Sequence, residues 1–336
     1  MSGTRAAVIG AGAWGTALGA ILAQRGHRVT IWSYEPDVAR SINREHANPY
    51  LKGISLPPTL TAEPDLETAV AGARLVVSAS PSQFVRKVVE SAGPHLDPEA
   101  LVVSASKGIE VDTLLRMDEV LAATLPASIA GRLCVLSGPS FAQEVASGQP
   151  TAVVIASRDA ESAVWARDWF QTSNFRVYTN ADVVGVELGG ALKNVIALAA
   201  GTTAGLGFGH NTTAALITRG LAEITRLGLA VGAQKATFYG LAGLGDLVLT
   251  CTGSLSRNRT VGYRLGQGES LAAVLADMTA VAEGVQTTRA AYELSRRYGV
   301  EMPITEQMYA ILYEGRAPSD ALRALMTRDP KPEEWS

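Results

Sequence analysis

Cysteine, histidine and clustered charge are scarce in this chain of 336 residues. The two cysteines, Cys134 and Cys251, stand far apart and without the spacing of a metal site. We therefore expect two reduced thiols in a cytoplasmic protein rather than a disulfide framework. The four histidines form no cluster in the sequence, and we expect no bound metal.

Strong charge of either sign is also missing, since the net charge is −3 and acids and bases are mixed along the chain. A basic block would indicate nucleic-acid binding and an acidic tail would indicate disorder, but neither is present. We therefore expect a small-molecule substrate and no nucleic-acid partner. Long apolar runs are few, and only residues 6–23 look long enough for a signal core or a membrane span.

The order of residues within that apolar run argues against a membrane span. Residues 5–9 predict a short buried strand, and Gly10, Gly12 and Gly15 follow with the spacing G-x-G-x-x-G. The next residues predict a helix that ends near Gly26, and a second strand follows. This strand, turn, helix and strand form the dinucleotide-binding βαβ unit. We therefore expect no membrane span in the chain.

Each glycine of the motif has its own physical role. Gly10 permits the tight turn, Gly12 lets a pyrophosphate approach the backbone, and Gly15 allows the helix to pack closely on the strand. The free N–H groups at the start of the helix favour bound phosphates. Trp14 lies inside the predicted loop, where it either covers the cofactor or packs in the core.

Strands and helices continue to alternate up to about residue 180. Further strands are predicted at residues 75–79, 101–104, 133–136, 151–156 and 175–179. The alternation predicts an α/β fold, with a Rossmann-type N-terminal dinucleotide-binding domain and a mostly parallel sheet over residues 1–182. Long helical stretches then predict an all-α substrate domain over residues 183–330. We expect the glycine-rich segment 201–211 to be a mobile loop between helices.

Polar residues follow the predicted strands where ligands of open α/β sheets bind. Lys107 and Gly138-Pro139-Ser140 each follow such a strand. Lys193 is a lone lysine in an otherwise apolar helical stretch, and its burial is costly unless it is paired or functional.

A phosphate site is predicted in the segment GLAGLGDLVLTCTGSLSRNRTVGYRLG, in which Asp246 is the only acid. Ser256, Arg257 and Asn258 combine a hydroxyl, a guanidinium and an amide in consecutive positions. Such groups suit a phosphate monoester because they donate several charge-assisted hydrogen bonds.

Taken together, the sequence resembles the bacterial-type NAD(P)-dependent sn-glycerol-3-phosphate dehydrogenases over about residues 5–325. The resemblance rests on GAGAWGTAL, SASKGIE, LSGPSFAQEV, LKNVIALAAG, GLGDLVLTCTGSLSRNR and VAEGVQT. It implies NAD(P)H-dependent, reversible reduction of dihydroxyacetone phosphate to sn-glycerol 3-phosphate, which supplies glycerophospholipid synthesis. It also implies a cytoplasmic homodimer.

The resemblance implies three groups of site residues. The catalytic group is Lys193, Lys107 and Asp246, with Lys193 as the acid/base. In that role Lys193 needs a pKa of about 7–8 instead of ~10.4. Burial, Lys107 and an oxidised nicotinamide would lower this pKa, whereas Asp246 would raise it and is expected to orient Lys193 or a substrate hydroxyl. The cofactor contacts are Gly10, Gly12, Ala13, Trp14, Gly15, Tyr34, Lys107, Ala142, Arg257, Val281 and Glu283. The substrate contacts are Lys107, Gly138, Ser140, Lys193, Asp246, Ser256, Arg257 and Asn258.

One position departs from a strict NAD site, which carries an acid at the end of the second strand to hold the ribose 2′-OH. Here that position is Ser33-Tyr34, with Glu35 one step later and Arg40 further on. The missing acid removes one repulsion against a 2′-phosphate, so we expect use of NADPH or of both nicotinamides.

Two other functions remain open. A ketopantoate-type or β-hydroxyacid-type reductase shares the two-domain plan and the catalytic lysine, and its carboxylate substrate could use Arg257. A non-catalytic NAD(P)-sensing protein could use its second domain as an interaction module, although it would have no need of Lys193 and Asp246.

Overall fold

The computed structural model describes residues 3–278, 281–330 and 332–333. Within them, eight strands form one sheet in the order β3-β2-β1-β4-β5-β6-β7-β8. The strands are β1 (Arg5–Ile9), β2 (Arg28–Trp32), β3 (Leu60–Glu63), β4 (Leu75–Ser78), β5 (Leu101–Ser104), β6 (Cys134–Ser137), β7 (Thr151–Ala156) and β8 (Phe175–Asn180). Neighbouring strands pair in parallel, apart from the antiparallel pair β6 and β7. The predicted mostly parallel α/β sheet is confirmed, while β3 was not predicted.

Helices cover both faces of the sheet, as buried parallel strands require. They are α1 (Ala13–Gln24), α2 (Pro36–Glu45), α3 (Leu66–Val70), α4 (Val85–Ala92), α5 (Met117–Thr124), α6 (Ala127–Ala130), α7 (Ala142–Ala146) and α8 (Ala160–Phe170). Side chains of β1 alternate between the two faces, so that Val8 packs with α1 and α8 whereas Ile9 packs with α4 and α5. Two 3₁₀ turns, Ser82–Phe84 and Gly93–His95, complete this part.

The second part of the chain is helical. Its helices are α9 (Val183–Gly205), α10 (His210–Ala230), α11 (Lys235–Phe238), α12 (Asp246–Thr252), α13 (Arg257–Gly266), α14 (Leu271–Ala276), α15 (Glu283–Tyr298), α16 (Pro303–Tyr313) and α17 (Pro318–Met326). A π-helical turn, Leu241–Gly245, leads into α12. Helix α9 lies at the centre, and its apolar residues form a core with those of the surrounding helices.

Glycines let α9 and α13 pack backbone against backbone. A Cβ at Gly201 would lie 2.0 Å from the Arg259 carbonyl oxygen, and one at Gly205 would lie 2.1 Å from the Tyr263 carbonyl oxygen. The predicted loop over 201–211 is therefore wrong for its first half, which is the last turns of α9. The loop is limited to residues 206–209, because α10 begins at His210. Close helix packing, not flexibility, explains these glycines.

Helix α9, with 23 residues, is also long and apolar enough to cross a membrane, since its most apolar window of 18 residues has a mean hydropathy of 1.5. The prediction that only residues 6–23 are apolar and long enough to span a membrane was therefore wrong, because α9 also meets these two criteria. In the fold, 94% of its most apolar window is buried among the other helices, as in the core helix of a globular protein. The bent pair Lys235–Thr252 and Arg257–Gly266 meets the same criteria together, with a bend of 48° between its parts.

The change from sheet to helices falls between Asn180 and Val183. Asp182 caps α9 by accepting a hydrogen bond from the Gly185 amide at 2.9 Å. Its other oxygen accepts from the Gln234 amide at 2.9 Å and from the Thr237 hydroxyl at 2.6 Å. This carboxylate therefore joins the start of α9 to α11. The division into domains 1–182 and 183–330 stays a prediction.

Candidate active site

The glycine turn lies where the strand order reverses, between β1 and its neighbour β4. Gly10 has φ +123°, and a Cβ there would lie 2.9 Å from the Ala79 carbonyl oxygen. A Cβ at Gly15 would lie 2.1 Å from the Gly10 carbonyl oxygen, so this glycine sets the closeness of α1 to β1. A Cβ at Gly12 would meet no atom within 4 Å. Its missing side chain leaves open space beside the backbone.

The amino end of α1 is free to bind an anion. Gly12 precedes the helix, no side chain in the described part of the chain caps it, and the first turn carries no acidic residue. The first N–H groups of a helix have no partner within the helix, and they favour a phosphate. Trp14 lies in this first turn rather than in a loop, and its buried Nε1 has no hydrogen-bond partner among the described residues. The space at Gly12 and the open amide groups, which include that of Ala13, fit a dinucleotide pyrophosphate.

The residues after β2 contain one carboxylate, and it is engaged. Tyr34 is 84% exposed, with its ring edge-on to Trp32. The Glu35 carboxylate accepts a hydrogen bond from the hydroxyl of Tyr50, which lies 2.7 and 2.9 Å from its two oxygens. Arg40 pairs with Asp37 on the exposed surface of α2. The expected acid directly after β2 is absent, as the sequence shows.

Two lysines converge on one carboxylate. Asp246 begins α12 and is 1% exposed. Its Oδ2 accepts a hydrogen bond from Lys107 Nζ at 2.6 Å, and its Oδ1 accepts one from Lys193 Nζ. Lys193 Nζ also donates to the hydroxyl of Thr250 at 2.8 Å. The structure thus brings together all three predicted catalytic residues.

The surroundings of Lys193 bring the pKa of its side chain close to neutral pH. Burial lowers its pKa to about 7, the Asp246 carboxylate opposes the shift, and the neighbouring Lys107 adds to it. The directions of all three effects agree with the sequence-based expectation, and no bound nicotinamide is needed. A lysine with this pKa both donates and accepts a proton near pH 7.

The loop after β6 supplies the wall next to the lysines. Lys107 Nζ donates to the Gly138 carbonyl oxygen at 3.1 Å, and Ser140 Oγ donates to the same oxygen at 2.9 Å. Gly138 has φ +136°, and a Cβ there would approach Val153 Cα to 3.0 Å. Ala142 begins α7 directly after this loop. Gly138 and Ser140 therefore stand beside the lysine pair.

Of the three residues predicted to bind phosphate, two make side-chain hydrogen bonds with described residues and one does not. Ser256 caps α13, because its Oγ accepts from the Arg259 amide at 3.2 Å. Asn258 donates to Asn194 Oδ1 at 2.9 Å and accepts from the Gly284 amide at 2.9 Å. No hydrogen bond ties the Arg257 guanidinium to a described residue.

Arg257 is exposed to solvent. Protein atoms around the guanidinium nevertheless desolvate it and lower its pKa, an effect that the nearby Glu283 carboxylate opposes. The guanidinium is therefore free to bind an anion.

Glu283, at the start of α15, faces the loop after β4. Its Oε1 accepts from the Ser82 amide at 3.0 Å, and its Oε2 accepts from the Ser82 hydroxyl. Burial raises the pKa of this carboxyl group, and the two bonds from Ser82 oppose the rise. A Cβ at Gly108 would lie 2.4 Å from Ser82 Oγ, so this junction is tight. Val281, two residues earlier, is 46% exposed.

Direct contacts join Lys107, Gly138, Ser140, Lys193 and Asp246 into one group, and Asn194 brings Asn258 next to it. The glycine turn and Tyr34 lie apart, with no hydrogen bond to that group among the described residues. Sequence reasoning missed Thr250 as a partner of Lys193, although its i, i+4 spacing from Asp246 on one helix was visible. It also missed Tyr50, whose contact with Glu35 has no local signal.

Within the described parts of the chain, no three His, Cys, Asp or Glu residues are grouped to hold a metal ion. Cys134 and Cys251 are free thiols, and burial raises the pKa of each to about 12. Neither is a reactive thiolate near pH 7.

Family models and a curated relative match nearly the whole chain. The chain matches the N-terminal model of NAD-dependent glycerol-3-phosphate dehydrogenase over residues 5–163 and the C-terminal model over residues 182–323. It is 57% identical to a glycerol-3-phosphate dehydrogenase [NAD(P)+] of Geobacter metallireducens over 98% of this chain and 99% of that one.

Solved structures show the same relationship. The glycerol-3-phosphate dehydrogenase of Coxiella burnetii superposes with a TM-score of 0.93 at 38% identity, covering 98% of this chain and 100% of that one. The enzyme of Saccharomyces cerevisiae superposes with a TM-score of 0.80 at 28% identity, covering 96% and 99%. The chain belongs to the NAD-dependent glycerol-3-phosphate dehydrogenase family, and it is an NAD(P)-dependent oxidoreductase.

Proposed function

We propose that this protein catalyses the reversible reduction of dihydroxyacetone phosphate to sn-glycerol 3-phosphate with NAD(P)H, and so supplies glycerophospholipid synthesis. The observation that supports it most strongly is the buried carboxylate of Asp246 held between Lys193 and Lys107. A carbonyl reduction needs a proton donor and a positive charge at the developing alkoxide, and this group provides both.

The bound nicotinamide supplies a hydride to C2 of the substrate. The amino end of α1, with Gly10, Gly12 and Gly15, would hold its pyrophosphate, and Tyr34 would contact its adenosine end. Further cofactor contacts are Ala13, Trp14, Lys107, Ala142, Arg257, Val281 and Glu283. Glu283 also fastens α15 to the loop after β4 through Ser82, which fixes the cofactor site relative to Arg257.

Lys193 donates its proton to the oxygen on C2 as the alkoxide forms, and Lys107 stabilises the developing negative charge. In the reverse direction neutral Lys193 accepts the hydroxyl proton. Asp246 and Thr250 each hold Lys193 Nζ through one hydrogen bond, which leaves one N–H of the ammonium group for the substrate. Asp246 therefore acts by orientation, because its charge raises the pKa of Lys193.

The phosphate group of the substrate binds at the amino end of α13. Arg257 supplies a guanidinium that no described hydrogen bond engages, and Ser256 and Asn258 flank it. Asn258 keeps one N–H after its bond to Asn194. Gly138 and Ser140 border the substrate next to Lys107. Backbone amides at the helix start add further donors for a dianion.

We also propose that the protein is a cytoplasmic homodimer. Two buried free thiols agree with a reducing compartment. The family resemblance supports the dimer, and light scattering of the purified protein measures it.

The test is oxidation of NADPH and of NADH by the purified protein with dihydroxyacetone phosphate, compared with ketopantoate at the same concentration. We expect turnover with the phosphate ester and none with the keto acid, because Arg257 and α13 are built to hold a phosphate. Turnover only with the keto acid would establish the reductase alternative. Cofactor binding without turnover on either substrate would favour a sensing protein.

A further inference from the structure

A loop between α2 and β3 is fastened to the glycine turn by one buried side chain. Asn48 is 2% exposed, and its Nδ2 donates to the Ala11 carbonyl oxygen at 2.9 Å and to Thr16 Oγ1 at 2.7 Å. Its Oδ1 accepts from the Tyr50 amide at 2.9 Å. The backbone of Tyr50 is therefore fixed relative to the turn on which the dinucleotide pyrophosphate lies in the proposed function.

The side chain of Tyr50 reaches from this loop to the residues after β2. Its hydroxyl lies 2.7 and 2.9 Å from the two oxygens of Glu35. The hydrogen bond to Glu35 raises the pKa of Tyr50, so the hydroxyl stays protonated and remains a donor. Glu35 is the only carboxylate between the end of β2 and the start of α2, the part of a Rossmann unit that faces the adenosine ribose.

We propose that the Tyr50 hydroxyl sets the choice between NADH and NADPH by holding the Glu35 carboxylate. This inference rests on the proposed function, because it requires that a nicotinamide dinucleotide binds at the glycine turn. Held by Tyr50, the carboxylate is directed at the loop and does not serve as an acceptor for the ribose diol. The site therefore admits both the 2′-OH of NADH and the 2′-phosphate of NADPH.

The effect of Tyr50 on cofactor binding depends on what the Glu35 carboxylate does once the tyrosine hydroxyl no longer holds it. A free acid beside the ribose accepts hydrogen bonds from the diol and so favours NADH. The same charge repels a 2′-phosphate a few ångströms away, because like charges near a protein surface are only partly screened at that distance. Removing the Tyr50 hydroxyl should therefore move affinity toward the cofactor without the 2′-phosphate.

The experiment uses ADP-ribose and 2′-phospho-ADP-ribose, which carry the adenosine end and cannot turn over. Isothermal titration calorimetry at one fixed salt concentration gives the two Kd values. For Tyr50→Phe we expect the Kd of 2′-phospho-ADP-ribose to rise about tenfold and that of ADP-ribose to fall about threefold. Tyr298→Phe, an exposed tyrosine at the end of α15, is the control and should leave the ratio unchanged.

The double variant shows whether Tyr50 acts through Glu35. In a Glu35→Gln background there is no charge to hold, so adding Tyr50→Phe should change the ratio of the Kd values less than about twofold. Circular dichroism melting checks that each variant folds.

An unchanged ratio in Tyr50→Phe, or an equal change in the Glu35→Gln background, would overturn the inference. If the unaltered protein bound neither ligand, the proposed function itself would fail and the inference with it.

Discussion

Asp246 binds Lys107 through one carboxylate oxygen and Lys193 through the other. The arrangement places two ammonium groups of the same sign next to a single buried acid. Lys107 follows β5, while Lys193 lies on α9, so the carboxylate joins the sheet to the central helix. The proton affinity of Lys193 therefore depends on both neighbours, and each can be changed separately.

Replacing Lys107 removes a charge that lowers the pKa of Lys193. In Lys107→Met we expect kcat/KM for glycerol 3-phosphate oxidation to increase with pH through an inflection that lies about one pH unit higher than in the unaltered enzyme. The sign follows because oxidation needs neutral Lys193, and a higher pKa delays deprotonation. The rate should also fall at every pH, because Lys107 stabilises the alkoxide.

Lys235→Met is the matched control for this profile, since Lys235 is an exposed lysine on α11. An inflection that stays at the same pH in Lys107→Met would contradict the coupling.

Two glycines of the turn have different roles, since Gly12 leaves room for a ligand whereas Gly15 allows α1 to pack closely on β1. Gly12→Ala should cost at most about 1 kcal/mol of unfolding free energy, yet weaken ADP-ribose binding at least about tenfold, because the methyl group occupies the open space. Gly15→Ala should cost about 2–4 kcal/mol, because its Cβ would lie 2.1 Å from the Gly10 oxygen.

Urea unfolding without ligand and calorimetric titration measure these two effects. Equal losses of stability in both glycine variants would show that Gly12 serves packing and not the ligand.

Glu223 makes the stability of the helical part depend on pH. It is buried on α10 and caps α16 by accepting from the Ile304 amide at 2.7 Å and the Thr305 amide at 3.3 Å. Burial raises its pKa to about 7, whereas an unfolded glutamate titrates near ~4.3. Between these values the folded state holds the proton and the unfolded state releases it, so stability falls as pH rises and levels off above about pH 7.

Glu223→Gln should remove this fall, so its unfolding free energy relative to the unaltered protein should rise by about 3 kcal/mol between pH 4 and pH 8. Urea titrations across this range measure it. The exposed Glu161→Gln serves as control, and parallel curves for the unaltered protein and Glu223→Gln would refute the assignment.

The local parts of the fold could be predicted from the sequence, because the signals lie within a few residues of each other. The strand, glycine turn and helix of residues 5–24 follow one another as expected, although α1 begins at Ala13 and so includes Trp14. Gly26 has a left-handed conformation after α1. Strand β3 was missed because its sequence, LTAE, lacks the apolar run of the predicted strands and follows two prolines. The glycines of α9 were misinterpreted because their packing partner, α13, is distant in sequence.

The sequence predicted which residues belong to the site, but it did not predict which of them contact one another. A lone lysine in an apolar helix indicated that Lys193 is functional, but nothing local placed it on the same carboxylate as Lys107. The bonds of Ser82 with Glu283 and of Tyr50 with Glu35 likewise join distant segments. Such pairs depend on tertiary packing, and a single sequence carries no pattern for them.

The most direct test of the account replaces Lys193 by methionine, which keeps the length of the side chain and removes the proton. NADH binding is followed by fluorescence titration, and NADH oxidation with dihydroxyacetone phosphate is followed in the same sample. We predict that the Kd of NADH stays within about threefold while the oxidation rate falls about 10²- to 10⁴-fold. Oxidation at close to the rate of the unaltered enzyme would contradict the assignment of Lys193 as the proton donor.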